Sequence, residues 1–187
     1  MINHAEMAVA FGYELDTRDI RYALTGSVAA SFYGEPRSTV DIDFTVMASR
    51  EPLERLYELE GDFYVPRSAV AEAAEQYDSF NLIHHRTGLK IDIFVLDDSP
   101  FNQLMMDRRV QMVLPSGAVW TASPEDVTAR KIRWYALANE TSERQYRDII
   151  ALLSYGNVNA KTVIETATLV GLEELALRLV HDAEENL

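Results

Sequence analysis

The stretch Val40-Asp-Ile-Asp-Phe-Thr-Val46 constrains this chain most. Apolar and polar residues alternate with a period of two, the pattern of a β-strand with one face on a core. Val40, Ile42, Phe44 and Val46 fall on that face, and Asp41, Asp43 and Thr45 on the other. Carboxylates two apart on a strand leave the same side, with Cα atoms roughly 6.5 to 7 Å apart from the strand rise. Such a pair repels itself, and desolvating it without a cation is costly. A fold built around this strand must therefore offer the two acids water or a positive charge.

A second alternating run follows. Leu89, Ile91, Ile93 and Val95 form a core face, with Lys90, Asp92 and Phe94 opposite. The run 89–96 pairs with 79–85 as a hairpin through Arg86-Thr87-Gly88. Further strands are expected at 22–25, 108–114 and 119–121. Helices are expected at 3–14, 27–33 (closed by Gly34), from about Pro52 to Glu60, and at 68–77. In Ser123-Pro-Glu-Asp126 a serine N-cap and a proline in the first turn start a helix running to about Ala138. Helices at 142–154, 160–169 and 171–184 follow. The expected fold is α+β (α/β in its layering): a mixed sheet flanked by helices, residues 1–118, and a helical C-terminal part, residues 119–187, packed on it.

About half of the residues, 48%, are apolar in a chain of 187, enough for a real core. No apolar run of ~20 residues is present, so no membrane partner is expected. The opening residues lack the basic start and apolar run of a signal peptide, which fits a cytoplasmic location. With no cysteine, disulfides and thiolate zinc sites are excluded. A formal net charge of −13 argues against a broad nucleic-acid surface. A milder local balance, seven basic residues against five acidic ones, lies between Met105 and Arg147.

An isolated Asp-x-Asp is more often a solvated strand face than a metal site. Here other parts weigh against that. Asp92, on its own strand, supplies a third carboxylate. Magnesium takes hard oxygen ligands, commonly one or two carboxylates with substrate phosphates. Gly26-Ser27 precedes Asp41 by thirteen intervening residues. Glycine allows close backbone approach, and the N–H groups at the start of the next helix favour anions. Taken alone, that dipeptide reads equally as a tight turn and a cap.

The segment from Leu24 to Phe44, with an apolar strand, Gly26-Ser27, a spacer and Asp41-x-Asp43, resembles the signature of the DNA polymerase β-like nucleotidyltransferase superfamily. Arg37-x-Thr39-x-Asp41-x-Asp43 is more similar to its AbiEii-type toxin group than to the minimal antitoxin group, whose spacer is shorter. Lys-Ile-Asp92-Ile-Phe resembles the third-carboxylate strand. The helix around Lys131 and the segment Arg144-x-x-Arg147-Asp148 resemble the group's later motifs. The likeness spans about residues 20–150.

The resemblance implies transfer of a nucleoside monophosphate from a nucleoside triphosphate (NTP), with Mg2+, or Mn2+ in its place, as cofactor. Asp41, Asp43 and Asp92 are the implied metal ligands and catalytic residues, with Lys131. Gly26, Ser27, Arg37, Thr39, Lys131 and Asp148 are the implied nucleotide-binding residues. The acceptor stays open among RNA, protein and small molecules. A cognate antitoxin is an implied partner.

Each supporting residue also has a plainer reading. Lys131 could be a surface helix lysine, and Asp148 could orient Lys131 or Arg37 or, as local spacing favours, pair with Arg144 one turn away. Arg37 could form a salt bridge to Asp41 or Asp148. His84 and His85 point to opposite faces, so they do not share an ion, and at least one is expected to be exposed. Trp120, Trp134 and Tyr135 are expected in core packing rather than stacked on a base. Two other functions are open. One is a non-catalytic nucleotide- or partner-binding regulator or antitoxin; the other is a metal-dependent phosphodiesterase or nuclease.

Overall fold

The alternating strand sits in the middle of the sheet. In the computed structural model, which describes residues 2–35, 38–155 and 157–185, β1 (Arg21–Leu24), β2 (Asp41–Met47), β3 (Phe63–Tyr64), β4 (Ser79–His84), β5 (Lys90–Val95), β6 (Val110–Leu114) and β7 (Gly117–Thr121) form one sheet in the order β3-β4-β5-β2-β1-β7-β6. The sheet is mixed. β2 runs antiparallel to β1 and parallel to β5. β4 and β5 form the expected antiparallel hairpin. Ile42, Phe44 and Val46 are fully buried, as their face requires.

Two details of that strand differ from the alternation. Val40 precedes the strand and is 80% exposed, so it does not extend the core face. Thr45 lies on the acidic side yet is fully buried, its hydroxyl donating to the Ala23 carbonyl at 3.3 Å. The far end of the acidic face is therefore covered, and the Asp41–Asp43 end is the more open one.

The chain divides into two compact units. The first, Met1–Val28 with Ser38–Thr121, holds the whole sheet together with α1 (His4–Asp16), α3 (Arg50–Glu54), α4 (Arg67–Gln76) and α5 (Pro100–Arg108). α1 starts on a capping box: Asn3 Oδ1 accepts from the Glu6 amide, and the Asn3 amide donates to Glu6 Oε2, both at 2.9 Å. Its Phe11 packs 5.4 Å from the Phe44 ring and 5.7 Å from that of Phe63. This aromatic cluster anchors the buried side of β2.

Three boundaries depart from the pattern. The helix expected from Pro52 to Glu60 is a short α3 continued by a 3-10 segment, Arg55–Gly61. α5 was not expected. Its proline in the first turn after Ser99 is the same start signal as at Ser123-Pro124, and Phe101, Leu104 and Met105 recur at helical spacing, but over only nine residues. The expected strand 108–114 begins instead at Val110, because Arg108 ends α5.

The second unit, Ala29–Arg37 with Ala122–Leu187, contains α6 (Pro124–Leu137), α7 (Glu143–Tyr155), α8 (Ala160–Thr168) and α9 (Glu173–Glu185). Ser123 caps α6: the Asp126 amide donates to its Oγ at 3.2 Å, and the hydroxyl donates to Asp126 Oδ2 at 2.7 Å. Ile132, Ile149, Val163, Ala167, Leu175, Ala176 and Leu179 form a core of their own. α2 (Gly26–Tyr33) follows β1 directly. Among the described residues, no helix is long and apolar enough to cross a membrane.

Candidate active site

The parallel register of β2 and β5 builds the acidic cluster. Asp43 stands opposite Asp92, and Asp41 opposite Lys90. Neighbouring strands lie about 4.8 Å apart, so residues in register on one face must meet. Asp41, Asp43 and Asp92 each offer a carboxylate oxygen, and these three atoms all lie within 4.8 Å of one another. All three side chains are half-buried. An all-oxygen, partly desolvated set of this kind suits a hard divalent cation.

Each acid is also held in place. Thr39 donates its hydroxyl to Asp41 Oδ1 at 2.7 Å, which fixes one carboxylate just before the strand. The turn after β1 fixes the second. The Thr25 amide donates to the Asp43 carbonyl at 2.8 Å. Gly26 follows with a φ of +64°, a left-handed conformation that suits glycine. A side chain there has no room: a Cβ on Gly26 would collide with the Asp43 carboxylate and come within 2.7 Å of its Cβ. The glycine thus does two things, turning the chain and admitting Asp43. Ser27, next along, is buried.

This arrangement makes a direct prediction. Gly26→Ala adds backbone strain of about 1 kcal/mol and forces Asp43 out of the cluster. Divalent-ion affinity, measured by calorimetry with Mn2+, should fall at least about tenfold while circular dichroism stays native.

Lys90 completes the cluster. Its Nζ lies 2.7 Å from Asp92 Oδ2. The hydrogen bond to Asp92, then the negative charges of Asp92, Asp41 and Asp43, push the Lys90 ammonium above the usual lysine range, against a partial loss of hydration. The alternation of residues 89–96 already puts Lys90 on the face of Asp92. A lysine two positions before the third acid was the signal, and its charge belongs with the acids.

The second unit places its two expected residues together. Lys131 is buried, not a surface lysine, and its Nζ lies 2.7 Å from Asp148 Oδ2, with Gln145 Oε1 at 3.4 Å. Asp148 thus pairs across helices α6 and α7, where a local pair with Arg144 was the favoured expectation. Arg37 lies outside the described residues.

The remaining expectations divide. His84 is buried beside Phe63, its Nδ1 2.8 Å from the Thr87 hydroxyl, while His85 is exposed. Tyr135 packs against the helical core and beside Tyr146, as expected. Trp134 does not: it is about half exposed. Trp120 is partly buried, under the Arg109 guanidinium at 4.8 Å from its ring.

A mixed sheet with Asp-x-Asp on its central strand, a third acid on the parallel neighbour and a glycine turn against them defines a nucleotidyltransferase-like fold. The family model described as nucleotidyl transferase AbiEii toxin, type IV toxin–antitoxin system, matches residues 12–184, and the chain belongs to this family of nucleotidyltransferase enzymes. No curated protein sequence matches it.

Solved structures agree on the fold. An antigenic nucleotidyltransferase-like protein from Paracoccidioides brasiliensis superposes with a TM-score of 0.56 at 18% identity, over 95% of this chain and 92% of the other. The antibiotic-resistance factor ANT(2'')-Ia superposes at 0.59 with 13% identity, over 95% and 97%. The lincosamide antibiotic adenylyltransferase LnuA, solved with lincomycin, gives 0.52 at 15% identity, over 82% and 98%.

Proposed function

We propose that this enzyme transfers a nucleoside monophosphate from an NTP to a nucleophilic acceptor in a Mg2+-dependent reaction, as the toxin of a toxin–antitoxin pair. What carries the reading is the convergence of Asp41, Asp43 and Asp92 beside the Gly26 turn. A binding module has no need for three acids held against their mutual repulsion. The nuclease reading is weaker, because the glycine-serine turn leading into α2 suits a triphosphate tail.

Asp41 and Asp43 would hold the cations, with Asp41 oriented by Thr39. Asp92 would be the third ligand and the base that accepts the acceptor's proton. Bound magnesium would supply charge neutralisation for the triphosphate and acidify the attacking group. Gly26 and Ser27 would take phosphate oxygens. Arg37, Thr39, Lys131 and Asp148 would serve nucleotide binding, with Lys131 catalytic through its charge. The acceptor attacks the α-phosphorus, the bond to the β-phosphate oxygen breaks, and pyrophosphate leaves.

The acceptor class is an RNA, a protein side chain or a small molecule. LnuA is by its name an adenylyltransferase of a small molecule, a lincosamide antibiotic, and its likeness here is one of fold. To test the reading, the purified chain is incubated with each α-labelled NTP, Mg2+ and cell extract, and the label is fractionated. Label on one acceptor class supports it and identifies the class. Nucleotide binding without transfer, across metals and acceptors, would favour a non-catalytic regulator.

A further inference from the structure

Lys90 presents a puzzle for a metal site. Its side chain is 40% exposed and free to reach solvent, yet its ammonium sits 2.7 Å from Asp92 Oδ2, on one of the three carboxylates that would ligate a cation. The register explains how it gets there. Lys90 lies two residues before Asp92 on the same face of β5, and directly across from Asp41 on β2. It therefore stands on the acidic face, next to Asp41 across the strand pair and to Asp92 along its own strand.

Three carboxylates within 4.8 Å carry a repulsion that a folded, metal-free protein must offset. One ammonium neutralises one carboxylate and lowers the charge of the set. It also competes for an oxygen that a metal ion needs. A point charge on a flexible four-carbon stem can be moved without disturbing the strand.

We propose that Lys90 is a tethered counter-ion of the acidic site, neutralising Asp92 in the metal-free protein and giving way when a divalent cation binds. The inference rests on the metal-site reading above and deepens it. Lys90 is here a positioning residue: it acts through Asp92 and sets how readily the site loads.

The test is calorimetric titration of the full chain with Mn2+ alone, without nucleotide. Wild type is compared with Lys90→Gln, Lys90→Met, Lys90→Arg and Asp43→Asn. Loss of the competing charge in Lys90→Gln or Lys90→Met should tighten Mn2+ binding about tenfold, after allowing for solvent screening of a part-exposed group. Lys90→Arg should stay within about threefold of wild type. In metal-free buffer Lys90→Gln should melt below wild type, and saturating Mn2+ should close the gap.

Unchanged or weaker Mn2+ binding in both neutral variants, with binding still lost in Asp43→Asn, would overturn the proposal and leave the metal site standing. That result would mean Lys90 merely orients Asp92. Absence of any Asp43-dependent Mn2+ binding in wild type would overturn the metal-site reading and this proposal with it. If Lys90→Gln does not fold, Lys90→Met decides the same comparison.

Discussion

Asp43→Asn is expected to reduce nucleotidyl transfer by at least about a thousandfold while leaving the fold intact. The magnitude follows from what the residue does. Asp43 stands in register with Asp92 on the parallel neighbour and packs against the Gly26 turn, so it is central to the cluster. An amide keeps the shape but removes the charge that, on the proposed function, would bind a cation. Electrostatic stabilisation of the transition state is commonly the largest single contribution to such reactions. The melting temperature without metal should change by no more than a few degrees, because removing one of three mutually repelling acids offsets its lost contacts. Asp41→Asn should behave in the same way, since Thr39 can still hydrogen-bond an amide oxygen. Steady-state transfer and thermal melting, measured on the same preparations, check both points.

The second large effect concerns stability. Asp148→Ala is expected to destabilise the protein by about 3–5 kcal/mol. Lys131 is almost fully buried, with a side-chain exposure of 5%, and Asp148 lies 2.7 Å from its ammonium. Removing the carboxylate takes away an anion held 2.7 Å from a buried ammonium, and the desolvation that this anion offsets dominates the cost. For a chain of this size the melting temperature should fall by roughly 10 °C. The double variant Lys131→Met with Asp148→Leu removes both charges together and should recover most of the loss. If Lys131 serves the nucleotide, that stable double variant still fails to transfer. Full activity in it would assign the pair to structure alone.

Much of the sheet was legible because its strands alternate. Ile42, Phe44 and Val46 are buried where their spacing puts them, and the 79–85 and 89–96 runs form the hairpin that the intervening turn suggests. Alternation cannot say which strands neighbour one another. That β5 lies beside β2, parallel and with Asp92 level with Asp43, is a property of the topology; the sequence indicated only which face Asp92 occupies. End effects were also hidden. Val40 fits the period but precedes the strand, and Thr45 is polar but buried through its bond to Ala23.

At the candidate site, residues joined by short sequence separation were readable and those joined across elements were less so. Thr39, just before the strand, and Asp41, its first residue, share a hydrogen bond two residues apart. The Lys131–Asp148 pair spans two helices, and the local alternative with Arg144 had the simpler spacing. Lys90 was visible on the face of Asp92, but its meaning depends on the nearness of Asp41 across the strand pair, which no local pattern contains.

In the proposed reaction three carboxylates direct a divalent cation to transfer of the α-phosphoryl group of an NTP. The most direct measurement supplies the preferred NTP labelled at either the α- or the γ-phosphate, with Mg2+ and the acceptor fraction, and follows both label and pyrophosphate. α-Label is expected on the acceptor with an equal amount of pyrophosphate, and both are lost in Asp41→Asn, Asp43→Asn and Asp92→Asn. γ-Label on the acceptor, or undiminished transfer in those three variants, would contradict it.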